Sequence, residues 1–209
     1  MSTPSHNSSR PAPSGLPAAL GLPLPQLDVT SGLWSHARQL PSPHHDARPE
    51  GEAPSLIVIH NISLPPQQYG GGFIDALFLG RLDPAQHPYF EQIKALRVSA
   101  HACVFRSGEV TQYVPTHLRA WHAGESQFEG RSRCNDFSIG IELEGSDFEP
   151  FTDAQYLTLA RLLVAAMSAY PGISAERITG HSDIAPGRKT DPGPFFDWQR
   201  LFAQMEFLR

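Results

Sequence analysis

Ten histidines and two cysteines in 209 residues are the side chains best suited to holding a hydrolytic metal ion. Such a site takes three nitrogen or oxygen ligands and keeps a further position for water. His60 is the first candidate, because it closes the apolar run Leu56, Ile57, Val58, Ile59, and a strand end is a rigid platform opening into a cleft. His101, Cys103, His122 and His181 compete with it. The most informative stretch is TGHSDIAPGRKTDPGP, Thr179 to Pro194, where two aspartates, two cations and three prolines surround His181 and almost nothing is available to bury. A loop so polar and so stiff specifies geometry rather than core. Standing alone it reads as readily as a rigid surface turn, and a lone histidine is more often a satisfied structural residue than a ligand. In SIGIELEG, Ser138 to Gly145, Glu142 and Glu144 share one strand face, opposite Ile141 and Leu143. Spacing does not choose between them as a proton-transfer group.

These residues need elements to position them. Leu56 to Ile59 is a continuous β-branched and leucine run bounded by Pro54 and Pro65, the pattern of a strand buried on both faces, and it delivers His60 at its carboxyl end. A short helical stretch follows near Asp75 to Leu79. Ala100 to Phe105 and Val110 to Val114 read as a hairpin joined by Arg106, Ser107, Gly108 and Glu109, and Phe137 to Leu143 as a further strand. Thr152 with Gln155 makes a capping box, after which Tyr156, Leu159, Leu163, Ala166, Met167 and Tyr170 recur at helical spacing until Pro171 and Gly172 end the helix. Asp197 to Leu208 gives a second amphipathic helix. Strands mixed with a few helices predict a single α/β (α+β) domain with a mixed central sheet flanked by helices and no internal repeat.

Length and composition narrow the function classes. At roughly 100 to 200 residues per domain the chain holds one catalytic domain. Residues 1–33 contain six prolines and several serines with no period that survives them, so they read as a flexible extension, and the domain is expected over 34–209. The extension fails as a secretory signal, since Pro17 and Pro23 interrupt its apolar stretch, and no cysteine precedes Cys103 to take a lipid. No uninterrupted apolar run approaches the roughly 18 residues of a membrane span. Sixteen basic against twenty-one acidic residues, a net charge of -5, argue against a nucleic-acid partner. Two cysteines exclude a disulfide-rich scaffold and fit reduced thiols.

Taken in order, HNISLPP (His60 to Pro66), WHAG (Trp121 to Gly124), CNDFSIGIELEG (Cys134 to Gly145) and GHSDIAPGRKTDPGP (Gly180 to Pro194) closely resemble the zinc-dependent type 2 N-acetylmuramoyl-L-alanine amidases, a family that also includes peptidoglycan-recognition proteins. The likeness runs from about Arg38 to Phe202, with PSPHHDARP at Pro41 to Pro49 and RVSAH at Arg97 to His101, and leaves out the first 33 residues. The resemblance implies His60, His181 and Asp191 as ligands of Zn2+. Two neutral imidazoles and one carboxylate would leave that site with net charge near +1 and electrophilic. An aspartate at 191, where phage-lysozyme-type relatives carry cysteine, points to the branch that acts on 1,6-anhydro-muropeptides in the cytoplasm.

The same resemblance selects Glu142 over Glu144 as the proton shuttle and gives Lys189 the oxyanion. The implied reaction is attack of a zinc-activated water on the amide between the lactyl group of (anhydro)N-acetylmuramic acid and the L-alanine of the stem peptide, with no organic cofactor. Arg97 and Arg133 are candidates for the stem-peptide carboxylates, and Asn61 and Trp121 for the cleft wall, although core packing suits a tryptophan equally. The expected partner is a small soluble muropeptide, with no nucleic acid, no membrane and no obligatory protein partner. A non-catalytic peptidoglycan-recognition module would normally lack one ligand position, and all three are filled here. A broad-specificity amidase of intact cell wall is the other reading.

Overall fold

A computed structural model of the chain describes residues 23–209. Six strands form its main sheet: β1 (Arg38–Gln39), β2 (Leu56–Ile62), β3 (Ala102–Val104), β4 (Val110–Gln112), β5 (Ser138–Glu144) and β6 (Ile178–Gly180), in the order β6-β2-β5-β3-β4-β1. The sheet is mixed: β3 and β4 are an antiparallel hairpin, and the other neighbouring strands run parallel. Central β2 and β5 are the longest strands and pair along their full length, Ser138 opposite Leu56 through Glu144 opposite Ile62. The continuous apolar run Leu56–Ile59 of β2 and the burial of β5 along its whole length follow from helices and loops covering both faces.

On one face Ile57, Ile59, Ile139, Ile141 and Leu143 pack under the long helix α3 (Asp153–Ala169) and the terminal helix α5 (Trp198–Phe207). Both halves of the expected capping box at Thr152 and Gln155 are made, at 3.1 Å each, and Asp197 caps α5 by accepting from the Arg200 amide. Short helices α1 (Phe73–Phe78) and α2 (Pro88–Ile93) lie with the opposite face, where Phe78, Phe90, Cys103 and Tyr113 form a second apolar cluster. Single-domain α/β architecture with a mixed sheet agrees with the sequence.

Two expectations change. Residues 23–33 are built into the fold rather than lying outside it at a boundary of 33/34. Leu27–Asp28 pairs with Leu33–Trp34, the Gly32 carbonyl accepts from Gln112, and Trp34 is fully buried. Residues 1–22 lie outside the described part. The polar stretch from Thr179 is also not all loop: it finishes strand β6 and forms the short helix α4 (His181–Ile184). Its polarity concealed this, because Asp183 is spent locally, its carboxylate accepting from Gly180 N at 2.9 Å and Thr179 Oγ1 at 2.8 Å.

Candidate active site

Parallel register brings three strand ends together. Glu142 lies opposite His60 across β5 and β2, and Gly180 lies opposite Ile59 across β6 and β2, so that His181, His60 and Glu142 form a row across adjacent strands. Such neighbours are about 4.8 Å apart in the sheet direction. The loop after α4 folds back and adds Asp191; the Asp191 carbonyl accepts from Ser182 N at 2.9 Å. Gly180 permits this approach, since a Cβ there would lie 2.8 Å from the Pro192 ring. Asn61 pins the same loop, donating to the Pro192 carbonyl at 3.0 Å and to Asp147 Oδ1 at 2.7 Å.

His60 Nδ1, His181 Nδ1 and Asp191 Oδ2 face one another at 2.9 to 3.1 Å. Among the described residues they are the one group of histidine, cysteine and acidic side chains arranged to hold a metal ion. Burial, countered in part by Asp191, lowers the His60 pKa to about 4, so the imidazole is neutral at pH 7. Burial works against the Asp191 carboxylate, but its hydrogen bonds with His181 and His60 outweigh that and hold it well below the usual range. The group thus fits zinc in donor type, with His60 and Asp191 in the protonation states a metal needs, and a tetrahedral ion with bonds of about 2.0 to 2.1 Å needs ligand atoms just over 3 Å apart.

Glu142 and Glu144, undivided by spacing, are divided by their partners. Glu144 accepts from Gly70 N at 2.7 Å with one oxygen and from Arg106 N at 3.1 Å with the other. Glu142 is buried too, yet its Oε2 has no hydrogen-bond partner, and it lines the cleft. Burial first, and the Asp191 charge second, push the Glu142 pKa well above the carboxylate range, while Lys189 acts in the opposite direction. The Lys189 side chain is exposed at the cleft rim.

The cleft has a volume of about 550 Å³, and Trp121, Leu96, Phe148 and Asn61 are among its walls. Trp121 donates its indole N–H to Asp46 at 3.2 Å and shows one face to the cleft. Arg97 and Arg133 do not line the cleft. Arg97 is exposed and folds its guanidinium back onto the Lys94 and Leu96 carbonyls, and Arg133 is paired with Asp136 at 3.2 Å. Of the competing ligands, Cys103 is buried in β3 and His101 is locked between Gly140 N and the Leu118 carbonyl. His122 sits behind His60 rather than beside Asp191. Sequence reasoning missed Arg188, which lines the cleft and donates to the Ala123 carbonyl at 2.7 Å, and the rim residue Phe148, 70% exposed. No periodicity marks an isolated loop side chain of either kind.

Residues 50–194 match the family described as N-acetylmuramoyl-L-alanine amidase. The chain is 62% identical over 173 residues to the 1,6-anhydro-N-acetylmuramyl-L-alanine amidase AmpD of Escherichia coli K12, covering 83% of this chain and 94% of that one. The fold superposes with a TM-score of 0.81 on the crystal structure of a selenomethionine AmpD derivative, at 59% identity, over 83% of this chain and 97% of that one. A complex of the E. coli amidase AmiD with anhydro-N-acetylmuramic acid-L-Ala-D-gamma-Glu-L-Lys is also similar, with a TM-score of 0.54 and 31% identity over 75% of this chain and 60% of that one.

Proposed function

The chain belongs to the N-acetylmuramoyl-L-alanine amidase family, and from that premise we propose that it hydrolyses the amide between the lactyl group of 1,6-anhydro-N-acetylmuramic acid and the L-alanine of a soluble stem peptide, using zinc held by His60, His181 and Asp191. The observation that carries the mechanism is a buried carboxylate, Glu142, left with an unpartnered oxygen beside three converging ligand atoms. When bound, zinc would polarise the scissile carbonyl and lower the pKa of water.

The chain's own residues do the rest. Glu142 takes the proton of the attacking water and delivers it to the leaving amine; its burial raises the proton affinity of the carboxylate, which favours taking up that proton. The Lys189 ammonium, at the cleft rim, stabilises the negative oxygen that develops on the carbonyl. Asn61, by tying Pro192 and Asp147 together, holds Asp191 in place against its strand. Trp121 offers an aromatic wall to sugar or peptide. Arg97 and Arg133 would reach stem-peptide carboxylates only by leaving their present partners.

We place the reaction in the cytoplasm, in the recycling of wall fragments. The support is the similarity to amidases named for the anhydro substrate. An anhydro sugar is more compact than its reducing counterpart, its 1- and 6-hydroxyls being replaced by one bridging ether oxygen, a difference worth roughly 1 to 3 kcal/mol in a shaped pocket. Zinc should be present at one ion per chain. The kcat/KM for anhydromuramyl tripeptide should exceed that for ordinary muramyl tripeptide by at least about tenfold, with little action on intact wall. Equal rates on the two soluble substrates, or efficient cutting of wall, would favour a broad-specificity amidase.

A further inference from the structure

The metal-facing nitrogens of His60 and His181 are only half of each ring. His60 Nε2 points away from Asp191 and lies 2.9 Å from His122 Nδ1, and His122 Nε2 lies 3.2 Å from Ser138 Oγ. His181 Nε2 lies 3.0 Å from the Ala123 carbonyl. Two consecutive residues therefore meet the outward nitrogens of both imidazoles, one with a side chain and one with its backbone. Asn135 anchors this pair, its Oδ1 accepting from the amides of His122 at 3.1 Å and Ala123 at 2.8 Å. The His122 ring lies flat against β5 at Gly140, where any Cβ would come within 2.4 Å of it.

Proton placement follows from these contacts. A neutral His60 that presents a lone pair at Nδ1 must carry its proton at Nε2. His122 Nδ1 must then accept that proton's hydrogen bond, which puts the His122 proton on Nε2, facing Ser138. The opposite assignment would place a proton on His60 Nδ1, between His181 and Asp191, and block the site. Outer hydrogen bonds of this kind fix ring orientation and strengthen a ligand, and their loss costs about 10- to 100-fold in metal affinity.

We propose that His122 is a positioning residue of the metal site: by accepting the Nε2–H of His60 it fixes the tautomer that leaves Nδ1 free for zinc, with Asn135 and Gly140 holding His122 where it can do so. This rests on the zinc reading above. The test compares His122→Asn with His122→Leu, two side chains of nearly equal shape, of which only asparagine can put an acceptor oxygen where Nδ1 stands. Zinc affinity is read by competition with a chromogenic chelator. The leucine variant should bind zinc about 10- to 100-fold more weakly than wild type, and the asparagine variant should recover most of that loss. Equal weakening in both variants, or none in either, would overturn the proposal. Should the leucine variant not fold, nitrogen-15 spectra of the zinc-loaded wild type decide the matter: His122 must be protonated at Nε2 and not at Nδ1, and the reverse tautomer overturns the assignment. A wild-type chain that binds no zinc would instead remove the metal reading itself, and this proposal with it.

Discussion

Two groups of polar side chains are buried in this fold within a few residues of each other, and they are built on opposite terms. In the first, each group is matched. Glu144 uses both oxygens on backbone amides, His101 has a partner at each ring nitrogen, and Arg48 donates to the carbonyls of Thr116, Asn135, Asp136 and Ser138. In the second, three ligand atoms converge on one another and Glu142 keeps an oxygen without a partner. Burial of an unpaired polar group costs stability, a cost that the proposed proton-transfer role of Glu142 would account for, while the first group locks the loops onto the sheet. Residue type does not separate the groups, because each contains histidine and glutamate. Hydrogen-bond satisfaction does.

The contrast is broken most directly at His181. His181→Ala should reduce bound zinc from one ion per chain to near zero and abolish turnover while the far-ultraviolet circular dichroism stays native, since a core of this size does not depend on metal to fold. Normal zinc content with normal turnover in that variant would return His101 or His122 to the ligand set.

Next in size is the pair on β5. Glu142→Gln should retain zinc and lose on the order of 100-fold or more in kcat, with no fall in thermal midpoint, because the oxygen it alters has no partner to lose. Glu144→Gln should do the reverse. Its amide group cannot accept from both Gly70 and Arg106, so a loss of about 1 to 3 kcal/mol in stability is expected, with kcat per folded molecule close to wild type. Denaturant titrations beside steady-state rates check both, and a reversed ranking would place the proton shuttle at Glu144.

The smallest effect is a pH dependence in the satisfied group. Burial, helped by the nearby Arg48 charge, lowers the His101 pKa to about 3 against about 6.5 in the unfolded chain. The folded state thus prefers neutral His101, and its contribution is complete above pH 6.5 and declines as pH falls towards 3. Between pH 6 and 5 it should amount to about 1 kcal/mol. His101→Asn, whose Oδ1 can still accept from Gly140 N, should remove that part of the slope in urea midpoints measured across the range. An unchanged slope would show that His101 is protonated without penalty in the fold.

What the sequence determined by itself was local or carried in whole motifs. The β-branched run before His60, the capping box at Thr152 and Gln155, and the hairpin between β3 and β4 were legible because propensity, capping and turn chemistry act over a few residues. The ligand set came from motif resemblance, and single histidines would not have yielded it. Tertiary structure decided the rest. The attachment of the segment before Trp34 to the sheet depends on Gly32 and Trp34 finding Gln112 and the core, contacts about 80 residues away in the chain. Glu142 and Glu144 have the same strand, face and burial, and only the arrival of the Gly70 and Arg106 amides at one of them tells them apart. The role of His122 likewise depends on a glycine on β5 and on the register that sets that strand beside His60, because alternation along a strand specifies which face a side chain takes and says nothing of what other chain segments bring to it.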